Sequence, residues 1–148
     1  MHGGFGLLTL DLAQVNWVAV VIAGLIYFAI GAVWYSPLLF SGAWQRSIGW
    51  DAERTPPEMN PLTYLVPLFA YLVMAAAVAL LAIGLGSDTF GEGLVLGLVV
   101  GVGLSLMHTL VDAEFDPNKP HPWVWFAING TYHTLGLIIV AVIVSIWV

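Results

Sequence analysis

The sequence predicts an all-α membrane protein, an antiparallel bundle of four transmembrane helices. Three observations point there. Of 148 residues, 60% are hydrophobic and only 8% charged, with a mean hydropathy of +0.95. Soluble domains are about half apolar with glycine included and about a quarter charged. A single domain of this size could not bury so much apolar surface in water, so lipid is the solvent. The apolar residues fall in four windows long enough to span, and only short connections join them.

A spanning helix needs about 20 mainly apolar residues. The windows run from about 17 to 39, 62 to 83, 93 to 111 and 124 to 148, and make residues 1–148 a single transmembrane domain. The opening run MHGGFGLLTLDLAQ lacks the basic start of a cleaved signal peptide, so the first window is expected to remain as a helix. Asn60 followed by Pro61 supplies an N-cap and a first-turn residue for the second helix. Thr89 with Glu92 reads as a capping box for the third. Short connections make neighbouring helices antiparallel. No internal repeat is visible, which argues against an inverted-repeat transporter within one chain.

The charges set an orientation and exclude some partners. Net charge is −6, and the basic residues are three, Arg46, Arg54 and Lys119. They lie in the first and third connections, whereas the second, LGSDTFGEG, has none. The positive-inside rule puts connections one and three in the cytoplasm and both termini outside. No cluster of Lys and Arg offers a surface to nucleic acid or to anionic headgroups. With no cysteine, disulfides, thiolate ligands and cysteine nucleophiles drop out.

Polar side chains in a bilayer are costly and usually turned inward, so each is a candidate for function. In the third helix Gly93, Gly97 and Gly101 recur every four residues, and Ser105, His108 and Asp112 are expected to continue that stripe. The glycines alone read as a packing face. His108 and Asp112, at i and i+4, could pair, or Asp112 could simply end the helix among the headgroups. On the fourth helix Asn129, Tyr132, His133 and Gly136 share a face, with His133 about ten residues in, roughly mid-membrane. Gly24, Tyr27, Gly31, Trp34 and Tyr35 form a stripe on the first helix, and Tyr64, Pro67, Tyr71 and Ala75 one on the second. Antiparallel geometry brings these stripes to comparable depth in the half adjoining connections one and three. The expectation is a polar, aromatic-walled cluster inside the bundle. Trp17, Trp44, Trp50, Trp123 and Trp147 are assigned instead to the interfacial aromatic belt.

Other motifs fail on spacing. DAEFDPNKPHP alternates acids at Asp112, Glu114 and Asp116 with Asn118, as a calcium loop begins. It has Pro117 and Trp123 where that loop needs glycine and a bidentate glutamate. His108, Asp112, His121 and His133 show no H-x-x-x-H or H-E-x-x-H spacing for zinc. No serine has a G-x-S-x-G setting, and the Asn129-Gly130-Thr131 sequon lies inside a helix.

The run from Asn16 to Trp50, with Asn16, Gly31, Trp34-Tyr35-Ser36-Pro37, Phe40 and Trp44, resembles the opening of the DUF1761 family of small bacterial integral membrane proteins of unknown function. The segment FAINGTYHTLG, with Asn129 and Tyr132, is similar to that family too. The resemblance implies four helices and a bacterial inner membrane, and no activity or cofactor.

Two functional readings follow. In the first, the protein is a small channel or transporter-like binding protein, a homo-oligomer with a ligand or ion pathway at Tyr35, Tyr71, His108, Asp112, Asn129, Tyr132 and His133. In the second it is an accessory subunit of a larger membrane complex, docked through its Gly93, Gly97 and Gly101 face; these three and Gly31 are the helix-packing glycines. An intramembrane enzyme ranks last, because neither His108 nor His133 has a recognisable nucleophile beside it. No catalytic residue, metal or cofactor is assigned.

Overall fold

The computed structural model describes residues 12–50 and 60–147. Arg54 and the acidic residues of its segment lie outside the described residues. The first span, Trp17–Trp34, starts where the Asn16 side chain accepts from the Ala19 N–H at 3.2 Å. It stops five residues before the expected boundary at 39, because Pro37 cannot donate and the Ser36 hydroxyl turns back to the Val33 carbonyl at 2.7 Å. A short helix, Ser41–Ser47, then folds back against the fourth span. It ends at Gly49, whose φ of +80° suits a residue without Cβ.

The second span covers Pro61–Leu85. It opens with a 3-10 turn capped by Asn60, whose side chain accepts from the Leu62 N–H at 3.0 Å, and closes at Gly86 in the left-handed conformation. The third, Phe90–Phe115, begins in the capping box read from the sequence: the Glu92 N–H donates to Thr89 Oγ1 at 3.3 Å and the Thr89 N–H to Glu92 Oε2 at 3.1 Å. Its centre, Val99–Leu106, is π-helical. The fourth, Pro122–Ile146, is a continuous α-helix of 25 residues.

The four spans alternate in direction. On one side, the His121 N–H donates to the Ser47 carbonyl, joining connections one and three. On the other, Asn16 Nδ2 donates to the Trp147 carbonyl at 2.8 Å and the Ser87 and Ser145 hydroxyls meet at 2.9 Å. The fourth span is the hub, with half of its apolar window buried against 33%, 22% and 28% in the other three. The first and second pack on each other and on it, whereas the third packs along it with no comparable interface to the first or second.

The fourth helix occupies the glycine stripe of the third. A Cβ on Gly93 would stand 2.9 Å from Val142 Cα, one on Gly97 2.6 Å from Ile138 Cα, and one on Gly101 3.0 Å from the Thr134 carbonyl oxygen. These glycines let two backbones approach within one chain. They do not form a free docking face, which corrects the accessory-subunit argument built on Gly93, Gly97 and Gly101. Gly31 differs: Tyr132 Oη lies where its Cβ would be, so it admits a ring rather than a backbone.

The stripe also fails to continue as expected. Below Gly101 the buried positions are Thr109 and Ala113, and His108 and Asp112 are exposed. Each π turn holds more residues than an α turn, so the wide segment sets back the helical phase by about one residue. The inward face therefore moves from 108 and 112 to 109 and 113.

Candidate functional site

Where the first, second and fourth spans approach connection one, they enclose an open cleft of about 680 Å³. Phe28, Gly31, Ala32 and Tyr35 form its wall on the first span, Tyr64, Pro67 and Tyr71 on the second, and Asn129, Tyr132 and His133 on the fourth. Ser41, Trp44 and Gln45 of the short helix, with Trp50, frame its mouth. The early stop at Ser36-Pro37 makes this possible, because a helix continued to residue 39 would carry Trp44 and Gln45 away from the bundle.

Hydrogen bonds fix the inner wall. The Tyr35 hydroxyl donates to Asn129 Oδ1 at 2.7 Å, and Asn129 Nδ2 donates to the Trp125 carbonyl at 2.9 Å. Both functions of the buried amide are thereby used inside the protein. Trp34 Nε1 donates to the Ile128 carbonyl at 3.1 Å, and the fully buried Tyr132 hydroxyl to the Tyr27 carbonyl at 3.0 Å.

At the floor, the Tyr27 hydroxyl meets His133 Nδ1 at 2.6 Å, near the middle of the fourth helix. Tyr27 is fully buried and stacks on Tyr71 with centroids 4.2 Å apart. Its ring lies against Gly136, where any side chain would collide with it. When the phenol donates to Nδ1, the imidazole carries its proton on Nε2. That nitrogen has no hydrogen-bond partner among the described residues, and His133 lines the cleft. Beyond this floor the core turns aliphatic, with Ala23, Ala75, Val78, Ala79, Ala82, Val140 and Ala141 buried.

Of the residues singled out from the sequence, Tyr35, Tyr71, Asn129, Tyr132 and His133 share this cleft. His108 and Asp112 do not. They border a shallow depression on the third span with Val111, Phe115 and Asp116, turned away by the π segment. Trp44 and Trp50, assigned to the aromatic belt, pack edge to face at the cleft mouth with centroids 5.6 Å apart. Tyr27 was visible as part of a stripe, but its pairing with His133 depends on the angle between two helices, which no single-helix period contains.

Connection three holds its charges away from the cleft. Lys119 Nζ contacts the Asp116 carboxylate, lies 3.5 Å from Asp112 Oδ2 and sits 4.0 Å from the centre of the Trp125 ring. The Lys119 hydrogen bond, helped by the Asn118 N–H, holds the Asp116 carboxyl below its usual range. Among the described residues, no group of three His, Cys, Asp or Glu side chains could hold a metal ion.

A family model described as Protein of unknown function (DUF1761) matches residues 18–145. The chain belongs to the DUF1761 family. That match takes in the second and third spans whole, all but one terminal residue of the first and fourth, and every residue lining the cleft. No curated protein and no solved structure matches the chain.

Proposed function

We propose that this DUF1761 protein is a membrane-embedded binding protein that takes a small solute into the cleft between its first, second and fourth helices. The observation that carries the reading is the cleft itself: an aromatic-walled concavity with polar groups converging at Asn129 and His133. Ligand sites are typically concavities of about 300–1,000 Å³, mostly apolar and aromatic, with a few placed polar groups. Tyr35, Tyr71, Asn129, Tyr132 and His133 are the residues we assign to binding. The aliphatic packing beyond Tyr27 favours a binding pocket over an open conduit, since a conduit needs a polar path to the far side.

By the distribution of its basic residues, the cleft mouth faces the cytoplasm of a bacterial inner membrane and both termini lie outside. A homo-oligomer or membership of a larger complex would use surfaces other than the glycine stripe. Native mass spectrometry of protein extracted in mild detergent tests the reading. We expect a retained small molecule that Asn129→Leu releases from protein of unchanged helicity. A stoichiometric foreign protein, with no small molecule held by either form, would favour the accessory-subunit alternative.

A further inference from the structure

Resting on the binding reading above, we infer that the occupant of the cleft is a small organic cation of the quaternary ammonium type, held against the faces of its aromatic walls. Three features of the lining lead to this class.

The first is charge. None of the described residues around the cleft carries a carboxylate, an ammonium or a guanidinium. An anion there would lose its hydration with no cationic partner among the described lining residues, and would face rings whose faces are the negative end of a quadrupole. The nearby lysine is withheld: Lys119 is held by Asp116 and Asp112 over the Trp125 ring, outside the lining. A metal ion is disfavoured for the complementary reason, since the lining offers one imidazole and no carboxylate.

The second is ring geometry. Tyr35, Trp44 and Trp50 form a chain of near-perpendicular contacts at the mouth, with centroids 5.6 Å apart in each pair and interplanar angles of 69° and 83°. Rings at right angles present faces from several directions, the arrangement in which aromatic cages hold methylated ammonium groups. Such a cation needs no hydrogen-bond donor or acceptor. The internal pairing of Asn129 with Tyr35 and Trp125 therefore costs it nothing.

The third is the approach. Connection one, which adjoins the mouth in sequence, carries Asp51, Glu53 and Glu58 against Arg46 and Arg54. An acidic excess raises the local concentration of cations.

The test is calorimetric titration of the detergent-purified full chain with benzyltrimethylammonium, its uncharged carbon isostere neopentylbenzene, and benzoate. Circular dichroism checks that each variant remains helical. The cation should bind about tenfold tighter than the isostere, benzoate should not bind, and Trp44→Leu should weaken the cation about tenfold. His108→Ala, outside the cleft, should leave it unchanged. Equal affinity for the isostere and the cation would overturn the cation assignment while sustaining a binding cleft. If none of the probes binds to folded protein, the binding reading itself fails.

Discussion

The two halves of this bundle are built on opposite rules. In the half near the termini, alanine, valine and glycine bring helices together until no space remains: Ala75, Ala82 and Ala141 are fully buried, and Gly93 and Gly97 rest on the backbone of the fourth span. In the half near connections one and three, the same helices carry Tyr, Trp, Asn and His, stand further apart and enclose the cleft. Within a bilayer the hydrophobic effect gives no drive for helices to associate. Close packing of small residues in one half holds the helices so that the other half can remain open.

If that division of labour is right, the largest effect belongs to the small-residue half. Gly97→Leu would drive a side chain into Ile138 Cα and should destabilise the protein by about 3 kcal/mol, read as a shift in SDS unfolding. The next effect lies at the boundary between the halves. Tyr27→Phe leaves ring stacking in place but removes the fully buried hydroxyl that meets His133, for a loss of about 1 kcal/mol. Tyr35→Phe should cost roughly half as much in the same assay, because water in the open cleft can replace the lost partner of Asn129. Equal costs at Tyr27 and Tyr35 would mean that the cleft is as dry as the core.

Smaller still is the effect of His108→Ala, which should change stability by less than about 0.5 kcal/mol, as expected for an exposed residue without a buried partner. The smallest response is to acid. Asp116 is depressed by Lys119, so its pairing contributes above the unfolded carboxyl value of about 3.9 and is lost only as pH falls through the lower folded value. Tryptophan fluorescence from Trp125 should therefore hold from pH 7 to about 4 and change below it. Asp116→Asn should abolish that step.

What could be read from the sequence was what a single helix contains. Apolar length located four spans to within a few residues, except where Ser36-Pro37 ended the first early. The period of the fourth helix put Asn129, Tyr132 and His133 on one face, where they lie. The errors came from geometry between elements or from a change of helical pitch. His108 and Asp112 were placed on the glycine stripe by assuming 3.6 residues per turn throughout, and the π segment from Val99 to Leu106 broke that assumption. That Trp44 and Trp50 also frame a cleft was not legible, because nothing local announces that a short helix folds back over one. Whether Gly93, Gly97 and Gly101 faced a partner chain or the fourth helix of their own was a question of which helix is central.

The chain has no cysteine, so the contrast between the halves can be measured one position at a time. Gln45→Cys, Tyr71→Cys and His133→Cys, introduced singly, would be exposed to a water-soluble maleimide beside Ala79→Cys and Ala141→Cys. The account predicts rapid labelling at the first three, slowing with depth from Gln45 to His133, and none at the last two while the protein is folded. Labelling of Ala79→Cys or Ala141→Cys at the rate of Tyr71→Cys would contradict it. So would protection of all five.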